Sequence, residues 1–445
     1  MRGKHADLIE GNIFQALLVF AVPLLIGNLF QQAYTIVDSA IVGHYVGETA
    51  LAAVGASYAL TSIFICVAIG GGIGASVIIS QHFGGHAYSR MKTSIRTAML
   101  SFLLISLMLG GIGLCFSRQI MEALNTPADA MDIAVIYLNI YFYGLPFLFM
   151  YNILSSMFNA LGESRIPLYL LIFSSVLNIF LDLYMVATLH LGVAGAAYAT
   201  FIAQGISAVC SFLIFLRTLR RLDGKAETWF SKAEFSSMSR IALPSILQQS
   251  TVSIGMMLVQ SVVNGFGTQI LAGFSAGMRI ESLCVVPMAA IGNALSSYTA
   301  QNIGAEKHER ISLGYRTANF MVAITAVILC LFLELLHRPL IALFLDGAPS
   351  AQTVATGEGY LRFIGFFFCM IGFKMAVDGI LRGAGAVKVF TIANLVNLGL
   401  RVLIAKLGAP VYGIAMIWYA VPLGWLANFL ISYGYYRTGK WKQIS

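Results

Sequence analysis

Four acidic residues, Asp38, Asp182, Glu281 and Asp378, lie inside long apolar stretches of this 445-residue sequence. An ionised side chain held within a bilayer costs about 3 kcal/mol even on lenient insertion scales, so each needs a partner or a task. Asp38 falls near the end of the first stretch and Asp182 near the end of the fifth; at about 1.5 Å per residue both lie roughly 7 to 11 Å below the same membrane face. Asn178 precedes Asp182 by one helical turn on the same face, and Thr200 comes at the same level of the next stretch. Two carboxylates, a carboxamide and a hydroxyl therefore converge. Oxygen donors of this kind make a candidate metal site for Na+, and two like charges crowded in a low dielectric also favour holding a proton. Tyr34 and Gln31, one and two turns before Asp38, extend the set. The competing reading is a hydrogen-bonded network kept only for packing specificity.

The elements that position these residues are membrane-spanning helices. Hydrophobic residues make up 58% of the chain and charged ones 10%, against roughly 25% charged in a soluble domain. Apolar stretches long enough to cross a bilayer run near 14–42, 49–80, 92–117, 131–159, 166–189, 193–217, 237–265, 270–300, 312–336, 356–381, 387–407 and 411–435. The expected fold is an all-α polytopic membrane protein of twelve transmembrane helices. The first stretch runs through Pro23 without a small-residue cleavage site, so it is expected to be retained rather than removed as a signal peptide. The cysteines, at 66, 115, 210, 284, 330 and 369, are single and lie within spans, which argues against disulfides, a redox pair or zinc.

The formal charge of +8 has a topological cause. With the first end placed inside, the outer segments carry only Arg118, Arg338 and Lys406, while Arg279, Arg362, Lys374 and Arg401 lie within spans and the other basic residues gather on the inner side. This asymmetry places both termini in the cytoplasm and the chain in the cytoplasmic (inner) membrane, and leaves no case for nucleic acid.

The two halves echo each other at an offset of about 220. Pro23 matches Pro244, Gly72 matches Gly292, Ser76 matches Ser296, Gln81 matches Gln301, Arg90 matches Arg310, Tyr137 matches Tyr360 and Gly195 matches Gly413. Two pseudo-symmetric six-helix lobes are expected, 1–221 and 236–445, joined by a cytoplasmic connector at 222–235 whose amphipathic run suits the membrane surface. Gly70, Gly71, Gly72 and Gly74 lack the Lys and Ser/Thr of a phosphate loop and read as helix packing or a bend. The acid cluster is not repeated: Val259, Arg401, Ala405 and Trp418 stand at the positions of Asp38, Asn178, Asp182 and Thr200. If the acids were needed only to build a lobe, the second lobe should want them too.

The runs PLLIGNLFQQAYTIVDSAIVG from Pro23 to Gly43, ISQHFGGHAYSR with its echo TAQNIGAEKHER, ALGESRIP and RIESL resemble the multidrug and toxic compound extrusion (MATE) family over essentially the whole chain. The Asp of helix one with the Asn, Asp and Thr of helices five and six resembles the prokaryotic branch that couples through its N-terminal lobe. The resemblance implies a secondary active antiporter that exports small organic cations, often aromatic drugs, dyes or toxins, in exchange for inward Na+ or H+. An acid used by some sodium-coupled members in helix seven is replaced here by Gln248, Gln249 and Gln260. No enzymatic activity or cofactor is expected, and a monomer suffices. Phe30, Gln31, Met157, Gln249, Met256, Glu281 and Asp378 are candidates for the solute path, since Met adapts to varied shapes, and Pro23 is the candidate hinge of helix one. Arg279 and Glu281, two residues apart, point in different directions and are expected to have separate partners. Asp378 reads equally as a solvated cleft lining or a snorkelling surface charge. A flippase for a lipid-linked sugar or cell-wall precursor is the rival function, though the intramembrane basic residues are too scattered to cradle a pyrophosphate.

Overall fold

In hydrocarbon every backbone N–H and C=O must be satisfied within the protein, and long apolar segments meet that demand as helices. The computed structural model of the chain describes residues 8–46, 48–124, 126–345 and 349–443. Among them the helices are α1 (Ile13–Val46), α2 (Glu48–Gly84), α3 (Tyr88–Ala123), α4 (Ala128–Ala160), α5 (Arg165–Asp182), α6 (Gly192–Arg220), α7 (Lys232–Asn264), α8 (Thr268–Gly304), α9 (His308–Ala342), α10 (Ala351–Gly365), α11 (Phe368–Gly383), α12 (Val387–Tyr412) and α13 (Ala415–Arg437). The helices α10 and α11 are the two arms of one span, bent by 53°, which brings the spans to twelve among the described residues. The chain is thus an all-α polytopic membrane protein. The tenth span, expected to be continuous, is broken without a proline at Phe366 and Phe367.

The chain forms two compact units, Ile26–Ile246 and the residues up to Leu25 together with those from Leu247 onward. These bounds differ from boundaries drawn at the connector. The change of unit falls inside α1 and inside α7, each time two residues past a proline of that helix, Pro23 and Pro244.

Within the unit Ile26–Ile246, the segment ahead of α7 is strapped to α3 rather than formed as an amphipathic surface helix. Lys92 Nζ donates to the carbonyls of Leu222 at 2.7 Å and Gly224 at 2.8 Å. The N–H groups of Glu227 and Ser231 donate to the hydroxyls of Thr93 and Thr97, each at 3.0 Å, and Arg96 lies over the Trp229 ring. Ser231 caps α7, and Glu234 in its first turn accepts from His82 at 3.0 Å, Arg90 at 3.1 Å and Ser94 at 2.8 Å. The first half of α7 then lies directly on α2. A Cβ added at Gly74 would meet the Met238 carbonyl oxygen at 2.6 Å, so the glycine run serves close helix approach.

The other unit repeats this scheme with the segment ahead of α1. Leu8, Leu17 and Phe20 are buried in its core. Asn302 donates to the Leu8 carbonyl at 3.0 Å and Arg310 to that of Gly11 at 2.8 Å, while Asn12 caps α1. Arg310 is the repeat partner of Arg90: Arg310 grips the chain just ahead of α1, and Arg90 an acid in the first turn of α7. Further along, α11 presses on α8 so closely that a Cβ on Gly379 would lie 2.3 Å from the Gly292 carbonyl oxygen. In their own unit the repeat-related helices α2 and α4 pack on one another, and Ser80 donates to the Ala160 carbonyl at 3.2 Å.

Candidate functional site

The second half of α1, the end of α5 and the start of α6 bring Tyr34, Asp38, Asn178, Asp182 and Thr200 together within the unit Ile26–Ile246. Asn178 and Asp182 are separated by one helical turn and both are buried. Asp182 is the last α-helical residue of its span, and the chain continues as a π-helical turn, Leu183–Thr188; such turns mark places where a helix re-aims its side chains. With the Asn178 amide turned so that its nitrogen faces acceptors, it donates to Asp182 Oδ2 at 2.9 Å and to the Tyr34 hydroxyl at 2.8 Å, while its oxygen accepts from the Thr200 N–H at 3.1 Å. The Tyr34 side chain also lies beside Thr200.

The Asp38 and Asp182 carboxyl groups lie within interaction range of one another. Two ionised carboxylates so placed repel and have no donor between them, so the pair favours holding a proton, or a cation in its place. One oxygen on each, Asp38 Oδ1 and Asp182 Oδ1, is buried with no hydrogen-bond partner. Among the described residues no third acid, His or Cys joins them, so the donor set fits a monovalent hard cation or a proton rather than a divalent ion.

Tyr137 of α4 is within electrostatic reach of both acids and completes the cluster. It stands out in the sequence only as the repeat partner of Tyr360, a pairing that signals architecture as readily as a site. Beside it a cavity of about 20 Å3, lined by Tyr137, Tyr141, Gly144, Thr200, Phe201 and Gln204, has room for about one water.

The candidate path residues divide. Gln31 is exposed and Phe30 half-buried on α1, and on α7 Gln249 is half-buried and Met256 exposed. Met157 does not line a path: it is fully buried in a core with Ile153, Leu154 and Phe158. Asp378 is neither a cleft lining nor a surface charge. It is buried, with Lys374 Nζ at 2.9 Å from one oxygen and the Ser432 hydroxyl donating at 2.8 Å to the other. Glu281 accepts from the Tyr360 hydroxyl at 2.5 Å, apart from Arg279.

A bundle of apolar spans that holds a pair of acids, with no basic partner among the described residues, has the build of a membrane transporter. The MatE family model matches residues 23–184 and again 244–407, once on each half, and the chain belongs to that family. It is 30% identical to "Probable multidrug resistance protein YpnP" of Bacillus subtilis over 99% of this chain and 98% of that protein. It is 23% identical to the "FAD transporter" of Shewanella oneidensis over 95% and 94%. Among solved structures, a MOP superfamily transporter from Pyrococcus furiosus superposes with a TM-score of 0.90 at 22% identity, covering 99% of this chain and 98% of that one.

Proposed function

We propose that the chain is a secondary active antiporter of the cytoplasmic membrane, with both termini cytoplasmic, that exports small organic cations with aromatic rings in exchange for inward protons or Na+. The observation that carries this reading is the Asp38–Asp182 pair, half-buried and buried, within interaction range of one another, with the neutral side chains of Asn178 and Tyr34 beside them. A charge pair without its own base draws a cation from outside, and that cation's gradient becomes the energy source. Arrival of the ion at Asp38 shifts the second half of α1, and Pro23, lacking a backbone donor just before the helix changes unit, is where that shift is absorbed. The site is thereby exposed alternately to the two sides of the membrane.

Exchange of one inward ion for one exported monovalent cation moves no net charge, so concentration gradients supply the work. One pH unit is worth about 1.4 kcal/mol, or tenfold accumulation. The names of the relatives support the export of drugs. The relative named as an FAD transporter favours a second reading, a flat aromatic anion as solute. The flippase reading gains no support: of the intramembrane bases that would hold a pyrophosphate, Lys374 is paired with Asp378 and Arg362 with Glu334.

Proteoliposomes loaded with a fluorescent organic cation, or with FAD, test this reading under imposed Na+ or pH gradients. Efflux of the cation that accelerates with an inward ion gradient and stops when it collapses is expected. Flux of either solute that ignores both gradients would overturn antiport, and gradient-driven flux of FAD alone would replace the cation by an anion.

A further inference from the structure

The strap ahead of α7 ends at the edge of an apolar helix face. Its Glu227 and Ser231 N–H groups are bound to Thr93 and Thr97, so residues 227–231 run along the first turns of α3. On that stretch the Arg96 guanidinium lies 4.7 Å from the centroid of the Trp229 ring. Arg96 is exposed and opens a face of α3 that continues through Leu100, Leu103 and Leu107 at helical spacing. Leu103 and Leu107 are exposed within a membrane span, as lipid-facing side chains are. Arg96 stands roughly 10 Å along the axis before Leu103, at the level of the headgroups. Trp229 is 75% exposed, Phe230 is exposed with its ring 5.9 Å from that of Phe235, and Lys232 at the start of α7 is exposed as well. Among the described residues no carboxylate pairs with Arg96 or Lys232.

We infer that Arg96, Trp229 and Lys232 form a site for the headgroup of an anionic phospholipid, whose acyl chains lie against the leucine face of α3. A guanidinium offers paired donors that match two oxygens of a phosphodiester, and an indole suits the layer where headgroups meet hydrocarbon. The ring beside Arg96 fixes a long side chain without neutralising its charge. The strap is graded to suit: its acids, Asp223 and Glu227, lie level with Lys92 and Thr93, away from the leucines, and its aromatic residues lie level with Arg96 and Thr97. The other lobe supplies a comparison. Arg316 occupies the repeat position of Arg96 and opens an exposed apolar face of Phe320, Ile324 and Val327. Counted back from the capping residues Ser231 and Asn12, however, Trp229 and Phe230 give way to Glu10 and Gly11. Glu10, 3.8 Å from Lys307, would repel a phosphate there. The inference is independent of the driving ion and of the solute.

The test reads Trp229 fluorescence in phosphatidylcholine proteoliposomes that contain equal small fractions of brominated phosphatidylglycerol or brominated phosphatidylcholine. Bromine quenches only nearby rings, and the Trp229→Phe protein supplies the background of Trp418, Trp425 and Trp441. One base at the membrane surface gives about a fivefold preference for an anionic lipid, so the parent should show at least that preference for brominated phosphatidylglycerol. Arg96→Gln should reduce it by about fivefold, and Arg316→Gln should leave it unchanged. Equal quenching by the two lipids, quenching by neither, or a preference untouched by Arg96→Gln overturns the inference. An equal fall in Arg316→Gln would reveal a general surface charge instead of a site and is as damaging. Should Arg96→Gln not fold, Lys232→Gln at the other exposed base decides in its place, an unchanged preference again being fatal.

Discussion

Replacing Asp182 by Asn removes one charge and almost no shape. The Asn178 amide that donates to Asp182 Oδ2 at 2.9 Å can donate equally to a carboxamide oxygen, so the local geometry should persist. A carboxylate about 4 Å from a monovalent cation attracts it by about 4 kcal/mol at an effective dielectric of 20. Relief of repulsion with Asp38 and of desolvation returns part of this, leaving a net loss of about 2 to 3 kcal/mol, or roughly 30- to 150-fold in ion affinity. The assay is efflux of a fluorescent organic cation from proteoliposomes as the driving ion is titrated on the outer side. The half-saturating ion concentration should rise by that factor while the purified variant keeps the melting temperature of the parent. A variant that transports with half-saturation within twofold of the parent would mean that Asp182 does not touch the ion, because removing a buried charge in contact with it costs far more than that.

Three further outcomes follow from the packing and its charges. Glu234→Gln weakens the contacts of one acid with His82, Arg90 and Ser94 and should lower stability by about 2 kcal/mol, seen as a fall in melting temperature in detergent. Gly379→Leu drives a side chain into the Gly292 carbonyl, where even a Cβ would lie at 2.3 Å, and should abolish monodisperse expression on size exclusion. Lys374→Met and Asp378→Asn each strand a buried partner of a 2.9 Å ion pair and should cost about 3 to 5 kcal/mol singly but much less than the sum together, a double-mutant cycle readable by thermal denaturation.

Much of the site is legible in the sequence because depth and helical register are one-dimensional. Asn178 and Asp182 lie one turn apart, and Asp38 and Thr200 share their level, so counting residues from the ends of apolar runs brings the four together. The repeat then supplies a comparison within a single chain. The Lys374–Asp378 pair was also available, at i and i+4 on one helix; reading Asp378 alone as an end-of-span charge overlooks it. Other features depend on contacts remote in sequence. The strap at 222–231 looks amphipathic, yet its shape comes from Lys92, Thr93 and Thr97, some 130 residues away. The break between α10 and α11 carries no proline, and the passage of α1 and α7 between units leaves only Pro23 and Pro244 as local traces. Met157 shows the limit of composition: a methionine suited to a tolerant pocket is equally suited to a core, and here it fills one.

On the proposed function, Asp38 and Asp182 together seat the driving ion. Direct counting of ions bound to purified protein, by 22Na+ equilibrium binding and by proton uptake, tests it without a solute or a transport cycle. One ion per chain for the parent and none for the Asp38→Asn, Asp182→Asn variant is the predicted result. Undiminished binding in that variant would contradict the account.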